Sequence, residues 1–305
     1  MRYVVTGAAG FIGSHLAEAL QEQGHEVVAV DAFTDYYDLA RKEENARGFD
    51  VRRGDLAEEE LDLDGVDGIF HLAGQPGVRS FGDVFPTYVH HNVLATQRVF
   101  AAASAASVRV VFASSSSIYG DAERYPTPED ARPQPVSPYG VTKLTCEHLA
   151  HAYASNFDLD CVTLRYFTVY GPRQRPDMAF TRLVEALAGG TTFDLYGDGS
   201  QSRSFTYVSD AVAATVAAME RAPTGATYNV GGGTEATLRE VIETLERISG
   251  RSLHVRELPP AAGDVRRTAA DTTRLRRELG WTPTVGLDEG LSAQWEWAAA
   301  RVAAR

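Results

Sequence analysis

The order of apolar and polar runs predicts an α/β protein: a doubly wound parallel sheet with a smaller C-terminal lobe interleaved with it. Two observations carry that expectation. Up to residue 166 short apolar runs alternate with longer amphipathic stretches, the rhythm of strands that are each followed by a crossover helix. Beyond residue 166 the rhythm breaks into loops rich in Arg, Pro and Gly, which marks a second lobe.

Residues 2–6 read as a short buried strand, followed by Gly7-Ala-Ala-Gly10-Phe-Ile-Gly13 and an amphipathic helix to about Gln23. Gly24-His25 turns the chain into a second strand, 26–30, that ends at Asp31. Further strands are expected at 50–53, 67–72, 108–113 and 160–166, with helices near 84–106 and 137–156. The second lobe carries expected helices near 178–188, 209–221, 237–249, 271–279 and 287–303 and a turn at Gly197-Asp-Gly199. The domain reading is therefore residues 1–165, with returning segments at about 203–235, for the sheet domain, and 166–202 plus 236–305 for a substrate lobe.

Composition narrows the function. The 305 residues are 44% hydrophobic and 23% charged, ordinary values for a chain that buries a sizeable core. A net charge of −12 argues against sequence-independent binding to nucleic acid or to an anionic membrane. No apolar run approaches the roughly 20 residues of a membrane span, and a strand begins at once where a signal peptide would have a charged region, so the cytoplasm is the expected location. Cys146 and Cys161 have no ligand spacing around them and are expected to be buried thiols, with no metal site indicated.

Gly7, Gly10 and Gly13 fall between a strand and a helix, where glycine lets the backbone approach a pyrophosphate at the helix N-terminus. This is a dinucleotide site of the Rossmann type, with Phe11 and Ile12 in the same turn. Asp31, at the end of the second strand, is placed to accept hydrogen bonds from the adenosine ribose and to repel a 2′-phosphate. No arginine follows it immediately to cancel that charge, so NAD is preferred to NADP. Asp55 and Leu56, after the third strand, are candidate adenine contacts. Leu72 and Ala73, in His71-Leu-Ala-Gly74, would let the dinucleotide cross the sheet edge, with His71 read as a packed strand residue.

Tyr139-Gly-Val-Thr-Lys143 opens a predicted helix, and the i, i+4 spacing puts phenol and amine on one face. Lowering a phenol pKa from about 10 to about 7 takes about 4 kcal/mol, roughly what one positive charge supplies at about 4 Å in an effective dielectric near 20. Among 29 basic residues only Lys42 and Lys143 are lysines, so a retained ammonium indicates a chemical need. Lys42 lies in a charged run where a solvated role suffices. Lys143 follows the run Ser114-Ser-Ser-Ser117-Ile-Tyr-Gly120 and is read as catalytic with Tyr139.

Over essentially its full length the chain resembles the extended short-chain dehydrogenases/reductases, in the nucleotide-sugar epimerase, dehydratase and decarboxylase group. The motifs are TGAAGFIGSH, SSSSIYG, YGVTK, LRYFTVYGPR, GDGSQSRSFTYVSD and the late GDVRRTAAD. The resemblance implies that Tyr139 takes the proton from a sugar C4 hydroxyl as hydride leaves for NAD. It implies that Ser115 bonds the same oxygen, that Lys143 also holds the nicotinamide ribose, and that Tyr166 lies at the cofactor.

The fate of the oxidised sugar depends on the neighbouring residues. The similar dehydratases carry an Asp-Glu pair where this chain has Ser116 and Ser117, and serine does not do that acid/base work at neutral pH. The similar decarboxylases carry glutamate at the place of Ser117. Four arginines (165, 173, 175 and 182) against Asp177 leave a local charge of +3 between residues 165 and 182, which suits a diphosphate; Arg165, on a strand, is expected to be structural. The resemblance favours Arg203 with Arg175 or Arg182 for the diphosphate and Asp264 for the uridine ribose. Thr168, with the segments at 35–38, 75–79 and 175–179, resembles the UDP-glucuronate 4-epimerases, in which case Ser116, Ser117, Thr168 and Arg79 face a C6 carboxylate. The expected activity is NAD-dependent 4-epimerisation of UDP-glucuronate by a homodimer that pairs the helices at 84–106 and 137–156. The alternatives are a neutral UDP-hexose 4-epimerase, a UDP-glucuronate decarboxylase, or a non-catalytic NAD-sensing protein.

Overall fold

The computed structural model describes residues 1–78, 82–259 and 265–303. The first half carries β1 (Arg2–Thr6), α1 (Phe11–Glu22), β2 (Glu26–Asp31), α2 (Leu39–Asn45), β3 (Val51–Arg53), β4 (Gly68–His71), α3 (Phe85–Tyr88), α4 (Ala95–Ala106), β5 (Arg109–Ser115), α5 (Pro138–Phe157) and β6 (Cys161–Tyr166). The second carries β7 (Thr168–Tyr170), α6 (Ala179–Gly189), β8 (Thr192–Tyr196), β9 (Ser202–Tyr207), α7 (Val208–Arg221), β10 (Thr227–Val230), β11 (Thr234–Thr237), α8 (Leu238–Ser249), β12 (His254–Leu258), β13 (Arg267–Thr268), α9 (Thr273–Leu279) and α10 (Leu287–Ala303).

The large sheet has seven strands in the order β10-β6-β5-β4-β1-β2-β3, and each pairing is parallel. This is the Rossmann-type doubly wound arrangement expected from the alternating pattern. One face is covered by α1 and α7, whose Leu16, Leu20, Ala211 and Ala214 pack with Val5 and Phe70. The other is covered by α4 and α5, whose Val99, Phe100, Cys146 and Ala150 pack with Ile69 and Phe112. Both cysteines are buried free thiols, and burial raises the pKa of each.

A third core joins α6, α8 and α10 over β8 and β9 through Phe180, Leu183, Phe193, Val241 and Leu291. There β9 pairs with β7, β11 and β13, and β8 pairs with β12. Among the described residues after β6, the one strand that joins the large sheet is β10, which lies beside β6.

The expected single helix over 84–106 is interrupted. A 3-10 turn at Gly82–Val84 leads into α3, and a π-helical turn at Val89–Leu94 separates α3 from α4. The buried Asn92 lies in that turn; its amide accepts from the Gln75 N–H at 2.7 Å and donates to the Gln75 carbonyl at 3.1 Å. Among the described residues no helix is long and apolar enough to cross a membrane.

His71 is fully buried between the hydroxyls of Thr6 (Nδ1, 2.8 Å) and Thr96 (Nε2, 3.0 Å). Burial, helped by the charge of Lys143, lowers its pKa to about 3. The unfolded chain takes up this proton near 6.5 and the folded chain only near 3, so the contribution is complete above 6.5 and is lost as pH falls between those values. Denaturant melts from neutral pH downward should show this decline. His71→Gln should flatten it and cost about 1–3 kcal/mol at neutral pH by leaving threonine hydroxyls poorly paired.

Candidate active site

The carboxyl ends of the parallel strands open into a cavity of about 760 Å³ between the large sheet and the smaller lobe. Each described residue assigned to the cofactor, the sugar or the diphosphate lines it, whereas Arg173 of the arginine cluster does not; Arg79 and Asp264 lie outside the described residues.

At one end lies the glycine turn. Gly7 has a φ of +70°, and a Cβ there would meet the Ala73 nitrogen at 2.8 Å. A Cβ on Gly13 would stand 2.1 Å from the Gly7 carbonyl oxygen, so α1 packs against its own turn with no room for a side chain. Gly10 is the N-cap of α1 and no side chain caps the helix, so the first-turn amides at Phe11, Ile12 and Gly13 are left for an anion in the cavity. The turn fits a dinucleotide pyrophosphate.

Asp31 is oriented by two backbone donors, Ala9 N–H (3.1 Å) and Phe33 N–H (2.7 Å), with its remaining acceptor capacity toward the cavity. Lys42 does not have the solvated role expected for it. It is 6% exposed, its amine donates to Thr34 Oγ1 at 3.1 Å, and it stands over the Tyr37 ring at 5.0 Å, on the cavity wall. Burial lowers its pKa against the opposing pull of Asp31 and Asp35. The charged run around it reads as a solvated helix, but α2 lies against the cavity and turns this one side chain inward. Leu56, Leu72 and Ala73 supply apolar wall to the same cavity.

Asp55 lies on the cavity wall and also meets His90, whose Nε2 is 2.8 Å from Oδ2. Burial opposes its charge, but the Ala57 N–H and His90 outweigh that and hold its pKa below the ordinary value.

The reacting end is built on β5, β6 and α5. The β5–β6 register puts Ser115 opposite Tyr166, whose hydroxyl is spent on Thr215. Ser115 then caps a 3-10 turn, accepting from Ser117 N–H at 3.1 Å and donating to Ser117 Oγ at 3.1 Å. Helix α5 starts at Pro138 with Ser137 as N-cap, accepting from Gly140 N–H at 3.1 Å. Its first turns carry Tyr139 and Lys143 to the cavity. The Lys143 side chain is 4% exposed; its amine donates to the Ala113 carbonyl at 2.9 Å and lies 5.1 Å above the Phe112 ring. One donor direction ties it to the sheet and leaves two for other partners. Ser116 and Thr168 complete a hydroxyl-lined wall with Ser117.

The arginine cluster divides. Arg165 is buried in a pair with Glu147 (2.7 Å) and is structural, as expected from its strand position. Arg173 pairs with Glu18 of α1 and does not line the cavity, so it is not available to a ligand there. Arg175, Arg182 and Arg203 do line it. Arg175 is bidentate to Asp177, and Asp177 accepts from Tyr36 at 3.3 Å. Arg182 stacks over Phe193 at 5.3 Å. Arg203 donates to the Val265 and Ser202 carbonyls. The wall residues Phe193 and Tyr196, on β8, lie in no motif, because they reach the cavity only when the smaller lobe packs against the sheet.

The family model described as "NAD dependent epimerase/dehydratase family" matches residues 3–231. The chain is 41% identical over 304 residues to a Bacillus subtilis protein named as an uncharacterized UDP-glucose epimerase, YtcB, with 96% of each chain covered. It is 36% identical to a probable UDP-glucuronate 4-epimerase of Rhizobium meliloti, over 97% of this chain and 96% of that one. Among solved structures, the UDP-glucuronic acid 4-epimerase of Bacillus cereus in complex with UDP-glucuronic acid and NAD matches with a TM-score of 0.95 at 40% identity, covering 99% of this chain and 100% of that one.

Gly13→Ala is expected to abolish retention of a dinucleotide and lower the melting temperature, since the clash is with backbone and cannot be relieved by a side-chain rotation. Nucleotide content after gel filtration and a thermal melt check both.

Proposed function

The chain belongs to the NAD dependent epimerase/dehydratase family, and from that premise we propose that it interconverts UDP-glucuronate and UDP-galacturonate by reversible oxidation at C4 of the sugar. The observation that carries this reading is the character of the reacting end: a phenol, an ammonium and a wall of hydroxyls, with no carboxyl group on the Ser115–Ser117 turn. Among the described residues, the carboxylates lining the cavity are Asp31, Asp55, Asp177 and Asp194, and each is engaged. Backbone amides hold Asp31, His90 meets Asp55, Arg175 pairs with Asp177 and Arg256 with Asp194. Elimination of water or assisted loss of carbon dioxide lacks its acid/base group; return of the C4 hydrogen to the other face needs none.

The glycine turn, with Phe11 and Ile12, holds the pyrophosphate, Asp31 and Lys42 the adenosine ribose, Asp55 and Leu56 the adenine, and Leu72, Ala73 and Tyr166 the path across the sheet edge. When bound, NAD supplies the two-electron oxidation of C4 and the matching reduction. Tyr139 takes the proton from the C4 oxygen and gives it back, and Ser115 hydrogen-bonds that oxygen. Lys143, fixed by the Ala113 carbonyl, sets a positive charge at the reacting end of the cavity and donates to the nicotinamide ribose. Ser116, Ser117 and Thr168 bond the C6 carboxylate. The oxidised sugar is a β-keto acid, and a carboxylate held out of the plane needed for C–C cleavage keeps its carbon dioxide. Arg175, Arg182 and Arg203 neutralise the diphosphate, and Asp264 takes the uridine ribose.

The same reading assigns 1–165 with returning segments in 203–235 to the cofactor and the remainder to the nucleotide sugar. Helices α3 to α5 and the π-helical turn among them expose Phe85, Val89, Leu94 and Val141, which supports a homodimer pairing these helices. Two free thiols and no disulfide suit the cytoplasm.

Incubation with UDP-glucuronate should yield UDP-galacturonate. UDP-xylose with carbon dioxide, or turnover of UDP-glucose alone, would overturn the substrate assignment. Tyr139→Phe should reduce kcat by about 10²–10⁴ with the fold and NAD content intact. Sedimentation at micromolar concentration should give a dimer, and Val89→Glu together with Leu94→Glu should shift it to monomer.

A further inference from the structure

Away from the reacting end, three metal-ligating side chains meet. Asp55 follows β3, while His90 and His91 lie in the π-helical turn at Val89–Leu94. Asp55 Oδ2 lies 2.8 Å from His90 Nε2 and 3.8 Å from His91 Nδ1, and the three ligand atoms all lie within 4.8 Å of one another. Consecutive helical residues normally point about 100° apart. Here one ring reaches the carboxylate through its distant nitrogen and the other through its near one, and the rings meet edge to face at 4.7 Å.

Metal–nitrogen and metal–oxygen bonds of about 2.0–2.2 Å give a tetrahedral site with edges of roughly 3.3–3.5 Å. The two contacts of Asp55 straddle that edge, so each of them changes by about half an ångström, and the third edge, between the two imidazole nitrogens, lies within 4.8 Å and closes by a rotation of the His rings. The carboxylate is already aimed: Ala57 N–H donates to its other oxygen, Oδ1, at 2.9 Å. Two imidazoles and one carboxylate form a donor set for zinc, cobalt or nickel rather than for calcium or magnesium, which take oxygen ligands. The side chains are 26% (Asp55), 34% (His90) and 21% (His91) exposed, enough for an ion to enter. Asp55 and His91 also border the large cavity, which leaves an open coordination position on that side.

We propose that Asp55, His90 and His91 bind a divalent transition-metal ion of the zinc class, and that this ion competes with the dinucleotide for Asp55. The competition, though not the site, rests on the assignment of Asp55 to the adenine. Ion and adenine draw on one carboxylate, so zinc loading loosens the cofactor at its adenine end while Tyr139 and Lys143 are untouched.

The test uses tag-free protein as purified, dialysed against a chelator and then equilibrated with Zn²⁺, with metal read by elemental analysis. About one ion per chain is expected, and His90→Ala or His91→Ala should each weaken uptake by more than the roughly 10–100-fold that loss of an outer-shell partner costs. A thermal melt checks that the variants are folded. Uptake by the double variant equal to that of the parent would overturn the site. Dinucleotide retained through ultrafiltration should fall as zinc fills the parent protein and stay constant in the double variant. Constant retention in the parent would overturn the competition. A protein that holds no dinucleotide before zinc is added would count against the cofactor reading, while zinc uptake still decides the site.

Discussion

Seven strands of the large sheet run in one direction, and this places the carboxyl end of each along a single edge. The turn after β1, the carboxylate ending β2, the His71–Gly74 segment after β4 and the serine run ending β5 therefore meet around one space, although they are far apart in the chain. An antiparallel sheet would send alternate loops to the opposite edge. These loops meet on one cavity because the parallel arrangement leaves them nowhere else to go.

The close approach of backbone within the glycine turn sets how near α1 can come to that edge. With no side chain at Gly7 or Gly13, the Gly7 carbonyl touches the helix and the turn touches Ala73. At the reacting end the corresponding anchor is Lys143, whose bond to Ala113 joins α5 to β5. The neighbouring network has the same effect: Glu147 of α5 accepts from Ser114 at 2.5 Å and from Arg165 at 2.7 Å. Two strands and one helix are thus cross-linked beneath the hydroxyl wall, so Tyr139 is presented from a fixed base.

The smaller lobe is held by charge as well as by its apolar core. Arg173, with a φ of +64°, pairs with Glu18 and His15 of α1, and His15 meets the Pro172 carbonyl. Burial first, and then the Arg173 charge, lower the His15 pKa to about 4, so near neutrality the ring is uncharged beside the guanidinium. This strap carries the chain from β7 into the cavity at Gln174 and Arg175. An arginine that looked like a ligand residue instead fixes the position of its neighbour.

The sequence alone determined the features whose signals are local. Strand and helix periodicity marked the sheet and its cover, the glycines between strand and helix marked the dinucleotide turn, and an i, i+4 spacing put Tyr139 and Lys143 on one face of a helix. The missing carboxylates at Ser116 and Ser117 were equally legible, because they concern residue type at a motif position. Packing decided the rest. Lys42 was read as solvated because it lies in a charged run, and its contacts with Thr34 and Tyr37 bury it. The arginines divided between ion pairs and the cavity according to Glu147 and Glu18, one on α5 and one on α1. Asp55 met His90 across 35 residues through a π-helical turn that interrupted an expected continuous helix. Side-chain partners separated by such distances are chosen by how helices and lobes pack, and a linear pattern of apolar residues carries the packing face of a helix but not its neighbour.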